Sequence, residues 1–324
     1  MALAPALVEW LLDTDPALRW QVERDLLGVP EEVWRATRAR VAAEGYGARL
    51  LALQDDDGQW AGGAFFPAGF TGEGEEGQPW TATTWSLNAL RGWGLDAAAL
   101  AGTAERLAAG SRWEYDDLPY WDGEVDCCIN GYTLANGAWL GVDVSGLERW
   151  FVEHRLADGG WNCQWVEGST RSSFHSTLNV VRALLEHERL TGGSDELRAV
   201  RHAGEEYLLE RRLLHRLSTG ERVGPWVDAI AWPFRWRYNA LNALDHLRAA
   251  SLLDGTPPDP RAAEAVALVR ALRGADGTWR QGEREPGRVW FEVDVPAGER
   301  SPWLTLVGTR VLDWWDGTGP TPTR

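Results

Sequence analysis

Three cysteines, two of them adjacent, are all that 324 residues contain. So few cannot frame a disulfide-stapled fold, and the expectation is free thiols at Cys127 and Cys128 in a reducing, cytoplasmic compartment. Positive charge is also scarce: 32 basic residues face 48 acidic ones, for a net charge of −16. A chain of that sign does not neutralise phosphates, so no nucleic-acid partner is expected and the acids serve solubility. No apolar run reaches the roughly 18 residues that a membrane span requires. Met1 to Trp10 carry no basic stretch and meet an acid at Glu9, so no secretory signal is expected. Strand-period runs are missing too, apart from Arg288-Val-Trp-Phe-Glu-Val-Asp-Val295, which reads as a short extended segment within a loop. The glycine-rich run from Gly69 to Gly77 lacks the Lys and the helix of a phosphate loop, and reads as a mobile loop over a cavity mouth.

What the chain has in excess is tryptophan, 21 residues against 7 Phe and 6 Tyr. Such an excess points to a repeated packing motif or to an aromatic-lined cavity. The repeat is visible: Leu50 to Trp60, Val152 to Trp161 and Val269 to Trp279 each end an amphipathic helix in Asp-Gly-x-Trp or a close variant. There the glycine supplies the positive φ that stops the helix, and the Trp folds back over it. Trp113 and Trp226 fall between, so the tryptophans recur at intervals of 53, 48, 65 and 53 residues. A repeat of this length is one supersecondary unit. The pattern predicts a helix after each Trp loop, at 80–94, 126–141, 173–191, 235–251 and 302–315. It predicts unit-ending helices at 31–54, 95–110, 144–157, 194–216 and 259–273. Asp15-Pro16 reads as an N-cap with proline at N1, opening a helix over 16–28 after a shorter one over 4–13. Six such helical hairpins make an all-α chain and can close into an (α/α)6 toroid with a central cavity. The expectation is a single toroid domain over 1–317 and a flexible tail over 318–324.

The residues that carry chemistry gather at the predicted starts of the second helices. Asp126 and Cys128 stand two apart in Gly123-Glu-Val-Asp-Cys-Cys-Ile-Asn-Gly-Tyr132, and His175 lies in Ser172-Ser-Phe-His-Ser-Thr-Leu178. Asp, Cys and His all ligate zinc, and three ligands with a fourth position open is the stoichiometry of a catalytic site. Each also has a plain structural role: Asp126 as an N-cap, Cys128 as a small buried apolar residue, His175 as a hydrogen-bonded imidazole. Cys127 lies about 100° round the helix from Cys128, so it is not expected on the same ion. Cys163, in the Trp161-Asn-Cys-Gln164 loop, is a candidate fourth ligand that would close the site. Around the same mouth Trp80, Trp85, Trp121, Trp165, Trp232, Trp236 and Trp303 are candidate walls for an apolar or cationic ligand. Arg171, Arg235 and Arg237 are candidates to orient a carboxylate or phosphate, or else to pair with nearby acids, and Tyr238 to donate a proton or to pack with its hydroxyl satisfied.

The Asp-Gly-x-Trp repeat on helical hairpins resembles the QW-type repeats of squalene and oxidosqualene cyclases and of the β subunits of protein prenyltransferases. The resemblance covers most of the chain as a periodic pattern and extends to small bacterial prenyltransferase/squalene-oxidase-repeat proteins, a label for a fold rather than a reaction. Val125-Asp126-Cys127-Cys128 resembles the Asp-x-Cys that supplies two zinc ligands in protein prenyltransferases, and Phe174-His175-Ser176 resembles the segment that supplies the third. The resemblance thus implies zinc on Asp126, Cys128 and His175, with a thiol or water activated for attack on a small apolar or isoprenoid-like substrate. Pro119-Tyr-Trp-Asp-Gly-Glu124 is acidic where that family holds a prenyl diphosphate with basic residues, which points away from a diphosphate. The Asp-x-Asp-Asp acid of bacterial squalene cyclases has no counterpart here, but Asp126-Cys127 is similar to the Asp-Cys of oxidosqualene cyclases. That implies the alternative of a metal-free isoprenoid cyclase with Asp126 as general acid. A third expectation is a protein that binds an apolar small molecule without turning it over.

Overall fold

Short polar residues and prolines set most of the helix starts. The computed structural model describes residues 3–320. Among them the helices are α1 (Pro5–Leu12), α2 (Pro16–Asp25), α3 (Glu31–Ala39), α4 (Gly45–Leu51), α5 (Thr83–Gly92), α6 (Thr103–Gly110) and α7 (Cys127–Leu140). They continue with α8 (Ser145–Glu153), α9 (Phe174–Thr191), α10 (Asp195–Glu210), α11 (Ala240–Asp254), α12 (Ala263–Ala271) and α13 (Pro302–Asp316). The side chains of Asp15, Ser173, Asn239 and Ser301 accept backbone N–H groups at the starts of α2, α9, α11 and α13, satisfying donors that a helix leaves unpaired. No helix is long and apolar enough to cross a membrane among these residues.

The predicted helices are present, several of them shorter or broken: of the one expected over 95–110 the α-helix begins only at Thr103, after Gly102 at φ +80°, and the one expected over 194–216 ends at Glu210. The one expected over 31–54 breaks between α3 and α4, where Gly45 takes φ +60° and Asp15 accepts the N–H of Tyr46. The one expected from 235 begins at Ala240, because Asn239 is the residue that caps it; Arg235 and Tyr238 therefore lie in the preceding loop. The alternating segment 288–295, expected as an extended stretch of loop, carries neither helix nor strand. The extended pairing is instead between β1 (Trp279–Arg280) and β2 (Arg300–Ser301), antiparallel, with Trp279 opposite Ser301.

The chain, expected to form one domain over 1–317, divides by its contacts into two compact units. The first comprises the residues up to Ala48, Leu209–Arg284 and those from Glu292; the second is Arg49–Leu208 with Glu285–Phe291. Within the second unit α5 packs on α7 and α7 on α9; within the first, α11 packs on α13 and α13 on α2. Of the expected tail, Thr318 and Gly319 donate to the Asp313 carbonyl, and residues 321–324 lie outside the described residues.

The tryptophan repeat has one physical form. The buried indoles of Trp60, Trp161 and Trp279 each donate Nε1–H to the carbonyl ten residues earlier, of Leu50, Phe151 and Val269, at 2.9, 3.2 and 3.0 Å. Each backbone N–H then donates to a threonine hydroxyl in the next long helix: Thr83, Thr177 or Thr305. Two residues before each Trp, Gly58, Gly159 and Gly277 take φ of +88°, +100° and +83°. That left-handed turn favours glycine. The indole closes the turn and carries the chain from the end of one helix to the start of the next. Trp113 and Trp226 pack differently, Trp113 stacked on Tyr120 at 4.8 Å and Trp226 edge-on to Tyr238 at 5.4 Å.

Candidate metal centre

The N-terminus of α7, the turn from Cys163 to Glu167 and the first turn of α9 meet within the second unit. Cys127 and Cys128 are the first two residues of α7. Cys163 opens its turn because the Asn162 side chain accepts the N–H of Gln164. The three sulphurs converge: Cys163 Sγ lies 3.3 Å from Cys127 Sγ and 3.3 Å from Cys128 Sγ. All three lie within 4.8 Å of one another.

Polar neighbours support these sulphurs. The Ser176 hydroxyl donates to Cys163 Sγ at 3.4 Å and accepts the Cys163 N–H at 3.2 Å. Asn179 Nδ2 reaches Cys128 Sγ at 3.6 Å and the His175 carbonyl at 2.9 Å, while Asn179 Oδ1 accepts the Tyr132 hydroxyl at 3.2 Å. Hydrogen bonds from Cys127, then from Cys128, hold the Cys163 thiol well below the ordinary thiol range. Burial pushes Cys127 well above it; for Cys128 the bond to Cys127 lowers the thiol, but the bond to Cys163 and burial together leave it raised. Of the three, Cys163 is thus the thiol most readily ionised, and it faces the N-terminus of α7, where negative charge is stabilised.

Asp126 occupies the N-cap position of α7 without making the capping bond. Burial first, then the charges of Cys163 and Glu124, raise its carboxyl to about 7. Burial also raises Glu124, whose carboxylate accepts the N–H groups of Val125 and Asp126 at 2.5 and 2.9 Å. One wall is aromatic: Trp165 donates Nε1–H to the Val125 carbonyl and stands edge-on to His154, which stacks on Trp150 at 4.1 Å.

The structure redistributes the predicted ligands. The close group is sulphur alone, and neither Asp126 nor His175 is part of it. Asp126 still touches it electrostatically, through Cys163. His175 is the second residue of α9, half-buried. Cys127, read as turned away, shares the group because the first two residues of a helix both stand at its open end, where a loop thiol reaches either. Cys163 is central to the cluster rather than an outlying fourth donor. Ser176 and Asn179 were not singled out by the sequence. Their signal was spacing, since residues one and four beyond His175 follow it along the same helix.

The remaining candidates are distributed as follows. Trp80 and Trp85 meet edge-on at 4.7 Å, and Trp85 lies 4.9 Å from Phe65 and 5.4 Å from Tyr132; Tyr132 links this aromatic group to Cys128 through Asn179. Trp121 is buried with its Nε1–H on the Ala104 carbonyl. Arg171 is exposed. In the first unit Trp232 stacks on Trp303 at 4.6 Å, and Arg237 lies over Trp236 at 5.3 Å. Tyr238 is buried there and its hydroxyl donates to the Leu213 carbonyl at 2.7 Å, the packed, satisfied state.

Zinc fits the donor set. Thiolates are soft ligands for it, and two of them on tetrahedral zinc lie about 3.8 Å apart, a few tenths of an ångström beyond the present spacing. Ser176 and Asn179, which donate to the sulphurs, are placed as outer contacts to such a metal would be.

No protein-family model matches this chain, and no curated protein matches it. Among solved structures, a protein from Actinoplanes is similar at 15% identity, over 94% of this chain and 90% of that one, with a TM-score of 0.44.

Proposed function

We propose that this chain is a zinc-dependent enzyme in which Cys127, Cys128 and Cys163 hold the ion and Asp126 moves a proton beside it. The observation that carries the reading is the convergence of the chain's three cysteines, from two separate segments, to sulphur spacings of 3.3 Å. Bound there, zinc would acidify a thiol or water in its remaining position. Asp126, raised to about 7, is suited to accept a proton from that group or give one to a leaving group near neutrality. The Trp165 wall and the Trp80–Trp85–Tyr132 group suit a small apolar, isoprenoid-like electrophile, with transfer to a thiol or hydrolysis as the reaction. The fold we propose is the (α/α)6 toroid, supported by the two arcs of neighbouring helices, α5–α7–α9 and α11–α13–α2.

Metal analysis of protein purified without added metal tests the reading. About one equivalent of zinc is expected, falling in Cys163→Ser; less than about a tenth of an equivalent in the wild type would refute it. A second reading is favoured by the raised Asp126 carboxyl: a metal-free cyclase in which Asp126 protonates an olefin or epoxide. Activity on such compounds that persists in chelator and vanishes in Asp126→Asn supports that reading, and activity lost to chelator eliminates it.

A further inference from the structure

We infer that the sulphur cluster is also a redox modification site, in which a peroxide joins Cys163 to one of the adjacent pair Cys127 and Cys128, and never joins that pair to each other. Neighbouring Cα atoms across a trans peptide are about 3.8 Å apart. Disulfides span about 4.4–6.8 Å between Cα atoms. Cys127 and Cys128 are neighbours inside the first turn of α7, so bridging them would require a distorted peptide within a helix. Cys163 comes from a different segment and already lies 3.3 Å from each sulphur. Closing either contact to about 2.05 Å asks for about 1.2 Å of movement, within the swing of two side chains.

Access favours the same order of events. Cys127 is buried, whereas Cys128 and Cys163 are partly covered; of these two, Cys163 stands on a short turn outside the long helices and is the one within reach of both other sulphurs. The Cys163 sulphur attacks one peroxide oxygen, the O–O bond breaks, and a sulfenic acid and hydroxide result. The second cysteine sulphur then attacks the Cys163 sulphur, the S–S bond forms as the S–O bond breaks, and the oxygen leaves as water. Two thiols and one peroxide become one disulfide and two waters.

One consequence rests on the zinc reading above: a bridge removes two of the three sulphur donors, so oxidation expels the ion and reduction restores its site.

The test uses the chain's own tryptic sites. Cleavage at Arg112, Arg149, Arg155 and Arg171 puts Cys127 and Cys128 on one peptide and Cys163 on another. Reduced, chelator-treated protein is exposed to a few equivalents of hydrogen peroxide, its thiols are titrated in denaturant, and its peptides are mapped by mass spectrometry. The expected result is a fall from three thiols to one, with the two peptides linked. Cys127→Ser and Cys128→Ser each still link, and Cys163→Ser keeps both of its thiols; should Cys163→Ser not fold, the wild-type peptide map decides alone, by whether any bridge forms inside the 113–149 peptide. Three thiols surviving in the wild type, or a bridge inside the 113–149 peptide, overturns the inference. A parallel zinc-loaded sample separates the two claims. Zinc bound when reduced but no bridge on oxidation defeats the bridge alone, and a bridge in a protein that never held zinc defeats the zinc reading alone.

Discussion

Asp126 should impose a pH dependence that a single substitution removes. Its carboxyl titrates near 7 in the native protein against an unfolded value near 3.8. Between about pH 4 and pH 7 the native state therefore holds a proton that the unfolded chain has released, so stability falls as pH rises through that window. Asp126→Asn cannot ionise, and in metal-free protein the variant is expected to gain stability relative to wild type from pH 4 to pH 7, read as the difference in urea midpoints. A constant difference would refute the assignment. The same residues mark how far the sequence could be read at this scale. Asp126 and Cys128 stood out because a carboxylate and a thiol two residues apart at a predicted helix start are both zinc-ligand types. The partner was misjudged because a helical wheel treats Cys127 and Cys128 as pointing 100° apart, whereas at the first turn no preceding turn screens either side chain. That Cys163 would meet both depends on the path of the 159–173 loop, which no local pattern encodes.

The tryptophan clamp is the element that makes the helices legible. Its threonine is testable on its own: Thr177→Val keeps the shape but takes away the acceptor of the buried Trp161 N–H, at 3.1 Å in the native protein. An orphaned buried donor costs about 1–3 kcal/mol, and the expected result is a lower denaturant midpoint with an unchanged slope. Trp161→Phe should add to this loss by releasing the Phe151 carbonyl. Helix positions followed from the repeat because Asp-Gly-x-Trp states both where one helix stops and what covers its end. Boundaries were missed where a single residue decided them, as with Gly45 inside α3–α4 and Asn239 at α11. The two-residue β pairing was missed because two residues have no period.

Over the whole chain the 48 acids are opposed by arginine alone, since none of the 32 basic residues is lysine. Guanidinium forks suit paired carboxylates, and one largely buried instance lies in the first unit. Arg310 grips Asp245 with two nitrogens at 2.8 and 2.6 Å and reaches Asp25 at 2.9 Å. Against the cost of burial, Arg310 and Arg248 bring Asp245 down to about 2, and Arg24 and Arg310 depress Asp25. This stabilisation is fully present above about pH 4, the ordinary carboxylate range, and is lost as pH falls through about 2. Arg310→Met leaves Asp245 with Arg248 and Asp25 with Arg24 as their remaining cations and should cost about 3 kcal/mol near neutrality. The deficit should shrink below about pH 4 in chemical denaturation. An equal deficit at both pH values would show that packing rather than charge is responsible.

The clamp also tells an engineer where new sequence can go. Its backward reach is fixed at 10 residues in all three instances, while the forward distance from Trp to its threonine is 23, 16 or 26 residues. The forward stretch is thus permissive by construction. In the longer of the two within the second unit, Gly69, Gly72 and Gly74 face open space, so a peptide tag grafted between residues 72 and 74 should leave the melting temperature within a degree or two of the parent. The same graft between Leu156 and Trp161 should unfold the protein.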